Sequence, residues 1–184
     1  MSYPDTLHLG CGEDYREGEH NVDAVAAVGP DEVADLNECP WPWPDATFRC
    51  IRAYHVLEHL ADVETALREC ARVLEPGGRL ITRWPVGVDA LADPDHKHRW
   101  TWRTPTFYCG KRHWDRDVGL RVIHRDVSLW PAGPEGPLQA YDRLRWALRK
   151  RLVGAGPWCF TQQGSSGEFE VIFEKPRQET PSQR

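Results

Sequence analysis

The chain has 184 residues, 40% of them apolar, with 23 Lys and Arg against 28 Asp and Glu and a formal net charge of −5. That is room for one ordinary domain with a sizeable core and too little for two. The acidic balance gives no basic footprint over the whole surface, which disfavours nucleic acid as a partner while leaving local patches open, and no apolar run nears the roughly 20 residues of a membrane span.

The first residues, MSYPDTLHLGCG, lack the basic start and apolar stretch of a signal peptide, so a cytoplasmic home is expected. Thr6 to Leu9 reads as a short strand running into the glycine turn Gly10-Cys11-Gly12. Asn21 to Val25 reads as a second strand and Glu32 to Asp35 as a third, each ending near an aspartate. CPWPWPD, residues 39–45, is too proline-punctuated for helix or central strand. Phe48 to Ala53 follows as a buried fourth strand, and HVLEHL occupies residues 55–60. Asp62 can cap a helix through Leu74, with Val63, Leu67, Cys70, Ala71 and Leu74 at helical spacing. Pro76-Gly77-Gly78 stops it, and Arg79 to Trp84 is a fifth strand.

The second half is less regular. A short helix is expected over Thr104 to Tyr108 and a strand over Leu120 to Leu129. Leu138 to Val153 reads as an amphipathic helix, with Tyr141, Leu144, Leu148 and Leu152 on one side, and Phe169 to Glu174 as a closing strand. From Pro176 the chain is polar and expected to fray. The six cysteines fall in no C-x-x-C pair and are expected as buried free thiols rather than a zinc ribbon or disulfide framework.

Strands alternating with helix or loop imply a mostly parallel sheet, whose ligands bind at the carboxyl ends of the strands. Gly10, Asp23, Asp35, Tyr54 and Pro85 then surround one crevice. Glycines in the first turn let the backbone approach a ligand closely. Tyr15 stands where the third glycine of a dinucleotide fingerprint would fall, which disfavours a nicotinamide cofactor. Asp23 can accept from both hydroxyls of a ribose, and Asp35 from an adenine amino group.

LHLGCG, NVD, ADLNECPWPWPDATF, HVLEHL and RVLEPGGRLI stand in the order and approximate spacing of the class I S-adenosylmethionine-dependent methyltransferases. The resemblance covers residues 6–85 and is greatest to the methyltransferase type 11 branch. It implies an α/β Rossmann-like fold with a mostly parallel seven-stranded sheet and an antiparallel last strand. It further implies that Gly10, Cys11 and Gly12 line the methionine part of S-adenosyl-L-methionine, that Asp23 holds the ribose, and that Asp35 and Leu36 flank the adenine. Ala53, Tyr54 and His55 would lie beneath the sulfonium. The chain departs from the family pattern at Glu13 to His20, where most members have a full helix. One domain is expected over residues 1–175, with a cofactor-binding half at 1–85, an acceptor-side half at 86–175 and a frayed tail at 176–184.

His55, Glu58 and His59 also spell H-x-x-E-H, a zinc-protease motif. That motif needs a long helix and a third ligand downstream, whereas Ala61-Asp62 looks like a fresh helix start. The resemblance makes His55 a pocket-edge residue and Glu58 and His59 packing or capping groups. No metal is expected, and a cluster of His55, His59, His96 and His98 reads as chance proximity.

After strand five, DPDHKHRWTW (residues 93–102) occupies the loop that faces the acceptor in such folds. His55 and His96 are the candidate bases. Trp41, Trp43, Trp100 and Trp102 either wall an acceptor pocket or belong to core and rim. Arg143, Arg145, Arg149, Lys150 and Arg151 either complement a helix dipole or face an anionic acceptor or partner. The expected activity is methyl transfer from S-adenosyl-L-methionine to an oxygen or nitrogen acceptor. A non-catalytic cofactor-binding domain of the same fold is the alternative, and a zinc hydrolase a distant third.

Overall fold

A computed structural model of the chain describes residues 3–110, 112–131 and 165–177. Its strands are β1 (Thr6–Leu9), β2 (His20–Asp23), β3 (Glu32–Val33), β4 (Phe48–Tyr54), β5 (Leu74–Gly87), β6 (Arg121–Pro131) and β7 (Ser165–Glu174). They make one sheet in the order β3-β2-β1-β4-β5-β7-β6. β3, β2, β1, β4 and β5 pair in parallel, and β7 lies antiparallel between β5 and β6. The mostly parallel seven-stranded sheet with an antiparallel last strand is therefore the observed fold. Strand order reverses between β1 and β4, and it is outside the carboxyl ends at such a switch that open sheets carry ligands.

The sheet has one apolar face. Leu7, Leu9, Ile51, Leu80, Phe169, Val171 and Phe173 are fully buried. The helix α1 (Val63–Val73) joins the same core through Val63, Ala66, Leu67, Cys70 and Val73. Its start is fixed by Asp62, whose carboxylate accepts from the backbone N–H groups of Glu64 and Thr65, satisfying donors a helix start leaves unpaired. Burial pushes the Cys70 thiol up, so it packs as a neutral apolar group.

The other face is polar. Cross-strand register sets His8 beside Asn21 and Arg52, Tyr54 beside Arg83, and Glu170 beside Arg83 and Asp126. Arg52 reaches Glu19 at 2.8 Å, Arg83 reaches Glu170 at 3.1 Å, and the Arg83 guanidinium lies over the Tyr54 ring at 4.5 Å. Parallel sheets usually need apolar cover on both sides; among the described residues ion pairs line one of them.

Several expectations shift in detail. β3 is two residues long because Glu38 N–H turns back to the Asp35 carbonyl. β5 outruns the expected strand because it is paired on both edges, to β4 as far as Tyr54↔Arg83 and to β7 as far as Gly87↔Ser166. Between β1 and β2 the chain runs as turns without a helix. The expected short helix at Thr104–Tyr108 is a 3-10 helix, and α2 (Asp89–Ala92) adds one further turn after β5. The expected helix from Leu138 to Val153 and Cys159 lie outside the described residues, as does the tail beyond residue 177. Among the described residues no helix is long and apolar enough to cross a membrane.

Of the two placements open to the tryptophans, the structure gives the core to three. Trp41 and Trp43 are core, 3% and 1% exposed, and do not wall a pocket. Their rings meet edge to face at 5.7 Å. Each indole N–H is satisfied inside, by the Leu36 carbonyl at 3.1 Å and the Glu32 carboxylate at 3.0 Å. An aromatic ring with its donor satisfied gains most from full burial. Trp100 is also buried, stacked on Trp84 at 3.8 Å.

Candidate functional site

The crevice begins at the turn after β1. Gly10 has φ +60°, and a Cβ there would stand 2.5 Å from Val56 Cγ2. Gly12 also has positive φ, but the Cβ direction meets nothing within 4 Å. One glycine admits a neighbouring side chain, while the other faces open space.

Asp23, at the end of β2, ties this turn to its own strand. Its Oδ2 accepts from Gly12 N–H at 2.8 Å and its Oδ1 from Val25 N–H at 2.9 Å. A carboxylate has about four acceptor positions, so capacity for two hydroxyls remains. Cys11 is buried, its N–H donating to the Val22 carbonyl at 3.0 Å. Burial, then Asp23, raises its thiol pKa and keeps it neutral.

Asp35 is exposed beyond β3, and both of its bonds, from Asn37 N–H and the Asn37 side-chain amide, fall on Oδ1. Those bonds hold its pKa below the usual carboxylate value. Leu36 is buried in the core cluster, so its side chain supports the turn from below. Ala53 is buried, and Tyr54 lies on the polar face beneath Arg83.

His55 follows β4 in the left-handed region, φ +52°, with its N–H donating to the Arg83 carbonyl at 3.0 Å. A non-glycine residue held there stores strain of a kind that gathers at functional sites. Its Nε2 lies 2.8 Å from Glu168, and its Nδ1 lies 3.5 Å from Glu58. The two carboxylates, Glu58 first, raise its pKa against the effect of burial. His96 instead lies in the loop after β5, its side chain 9% exposed, with its ring against His59 at a centroid distance of 4.8 Å. The structure gathers Gly10, Cys11, Gly12, Asp23 and His55 along the strand ends and packs His96 in the loop after β5, next to Glu58, which stands 3.5 Å from His55 Nδ1.

Beside His55, on the polar face, is a cavity of about 220 Å³ lined by Arg83, Asp126, Ser128, Glu168 and Glu170. Glu168 and Glu170 are not among the residues expected at the site from the sequence. Their signal was present in GEFEVIFE, where Glu168 and Glu170 alternate with the buried Phe169 and Val171.

Residues 19–82 match a family model described as "Methyltransferase domain". A ubiquinone/menaquinone biosynthesis C-methyltransferase from Enterobacter sp. (strain 638) is 41% identical over 64 residues, 35% of this chain and 26% of that protein. The chain thus spans about a quarter of the curated relatives' length in the matched stretch. A SAM-dependent methyltransferase from Archaeoglobus fulgidus aligns with TM-score 0.59 at 16% identity, over 92% of this chain and 85% of the other. The Haloferax volcanii methyltransferase solved with the Trm112 activator aligns with TM-score 0.58 at 18% identity, over 96% and 85%. At these identities the structural likeness is one of fold.

Proposed function

We propose that this chain, a member of the class I S-adenosylmethionine-dependent methyltransferase family, binds S-adenosylmethionine at the ends of β1 to β4 and transfers its methyl group to an oxygen or nitrogen acceptor. The observation that carries the reading is Asp23. Its carboxylate braces the open glycine turn through Gly12 N–H and keeps acceptor positions for two vicinal hydroxyls. Gly10, Cys11 and Gly12 supply backbone to the methionine portion, Asp35 and Leu36 flank the adenine, and Ala53 and Tyr54 lie beneath the sulfonium.

Bound S-adenosylmethionine supplies a methyl group on a sulfonium sulfur, already activated for in-line displacement. What remains for the protein is to align an acceptor and keep water out. Residues 1–85 do the first half of that work by fixing the cofactor, and residues from 86 onward form the acceptor side. The matched relatives are named as carbon methyltransferases, but their alignment covers only 64 residues, 26% of the relative, and the family match ends at residue 82, within the cofactor half. Acceptor chemistry is better read from the cavity beside His55. Its three carboxylates against one guanidinium favour a basic nitrogen over an anionic acceptor. Of the two histidines expected to handle the acceptor's proton, His55 stands next to this cavity through Glu168.

Calorimetry with S-adenosylhomocysteine tests the reading. Wild type should bind, and Asp23→Ala should lose two hydrogen bonds to a charged acceptor, each worth about 1.5–3 kcal/mol. Affinity should therefore fall more than about 100-fold in a variant whose circular dichroism is unchanged. Equal affinity in the two proteins would remove the assignment.

A further inference from the structure

The turn after β4 and the loop after β5 meet at one polar knot. The backbone N–H groups of Lys97 and His98 both donate to the Glu58 carbonyl, at 2.8 and 3.2 Å, and His98 Nε2 bonds the Leu60 carbonyl at 3.0 Å. This clamp brings the His96 ring against that of His59. The Glu58 side chain enters the same place. Glu58, His59 and His96 each offer one ligand atom, and those atoms lie within 4.8 Å of one another.

Glu58 is 0% exposed, and neither of its carboxylate oxygens has a hydrogen-bond partner; His96 Nδ1 is likewise buried and unbonded. The nearest cationic group, His55 Nδ1, is 3.5 Å from Oε1, an ion-pair distance rather than a good hydrogen bond. A carboxylate removed from water is held by hydrogen bonds, by a paired charge or by a metal. One distant imidazole leaves Oε2 with nothing. On the far side of His96, Nε2 stands 3.6 Å from the Asp93 carboxylate. Metal-bound imidazoles commonly have such a partner, which fixes the ring and leaves the other nitrogen to bind the ion.

We propose that Glu58, His59 and His96 bind one divalent transition-metal ion of the zinc class. Two imidazoles and one carboxylate suit zinc and leave a fourth position open, whereas magnesium and calcium prefer oxygen ligands throughout. Donor atoms on tetrahedral zinc stand about 3.3 Å apart, so modest side-chain rotations close the group around an ion. The family resemblance, with no third ligand evident downstream of H-x-x-E-H, led to the opposite expectation. That ligand is His96, from the H-K-H loop, while the motif's own first histidine turns to Glu168. The ion would pin the loop after β5 to the turn after β4. The metal site stands independently of the cofactor reading, and only its place beside the acceptor path rests on it.

The test uses the untagged full chain, stripped with a chelator, dialysed and titrated calorimetrically with zinc chloride, with magnesium chloride in parallel. One equivalent of zinc, a raised thermal midpoint and far weaker magnesium binding are expected. His96→Asn and Glu58→Gln should each weaken zinc binding by about 100-fold or more, at the upper end of what loss of a mere supporting partner does. His96 lies on a loop, so its variant serves even where Glu58→Gln does not fold. Absence of zinc binding by the stripped wild type, zinc affinity unchanged in the His96 variant, or magnesium bound more tightly than zinc overturns the proposal. S-adenosylhomocysteine titrated into the stripped chain reports separately on the cofactor site.

Discussion

Gly10 and Gly12 share a turn and a positive φ, yet the space around them differs, and that difference is measurable. Gly10→Ala must hold alanine in the left-handed region and also drive a methyl group into Val56, whose Cγ2 would be 2.5 Å away. The backbone penalty alone is about 1–2 kcal/mol, and the clash adds to it, so a clearly lowered thermal midpoint is expected. Val56→Ala in the same chain should restore part of that loss. Gly12→Ala carries the backbone penalty without a clash, because nothing lies within 4 Å. It should cost less stability than Gly10→Ala and should weaken S-adenosylhomocysteine binding by filling the cofactor's approach. A smaller stability loss at Gly10 than at Gly12, read by thermal denaturation, would contradict the packing described. These glycines and Asp23 were legible in the sequence because a strand end, a turn and a carboxylate are local features. Glu168 was not, because its contact with His55 depends on β7 pairing with β5 far along the chain. Nor was the partnership of Glu58 with His96, which rests on two backbone bonds between remote turns.

At the scale of elements, α1 was read almost to the residue because its start, stripe and stop are all written locally. Asp62 caps it, accepting from two backbone N–H groups and from the Thr65 hydroxyl at 2.7 Å. Asp62→Ala should therefore cost about 1 kcal/mol, within a range of roughly 0.5–2, seen as a lower urea midpoint with an unchanged slope. An unaltered midpoint would mean that packing alone holds the helix start. The proline-tryptophan loop leaves its tryptophans open between two placements for the opposite reason. Pro40, Pro42 and Pro44 mark a non-regular loop, but its placement comes from elsewhere. Arg72 of α1 donates to the carbonyls of Trp43 and Trp41 at 2.8 and 3.1 Å and pairs with Glu69 and Asp45. That arginine folds the loop down onto the core, so both indoles pack inside it. No local pattern announces a guanidinium that gathers carbonyls from another segment. The unequal lengths of β3 and β5 have the same origin, since a strand extends as far as its neighbours pair with it.

Over the whole molecule, carboxylates outnumber basic side chains, and several are held in their charged form by contacts that exist only in the fold. Asp31 accepts from Asn21 N–H, from the Asn21 amide and from the Tyr15 hydroxyl, and the first of these chiefly holds its pKa below the usual value. The Thr65 hydroxyl does the same for Asp62, and Arg72 does so for Glu69. Each group protonates more readily once unfolded, where its pKa returns to about 4. Between that value and the lowered folded one the unfolded chain binds more protons, so stability falls as the pH falls. The contribution is complete above roughly pH 5 and is lost on descending through the folded values. Asp31 joins the start of β2 to the segment before β3, and Glu69 joins α1 to the tryptophan loop, so their neutralisation loosens one sheet edge and the core cover together. The urea midpoint should accordingly be nearly level from about pH 7 to 5 and fall steeply below about pH 4. Asp31→Asn, which cannot ionise, should start from a lower midpoint at pH 7 and lose less on acidification. A midpoint that holds or rises between pH 5 and 3 in the wild-type chain would show that these contacts contribute nothing to the stability of the fold.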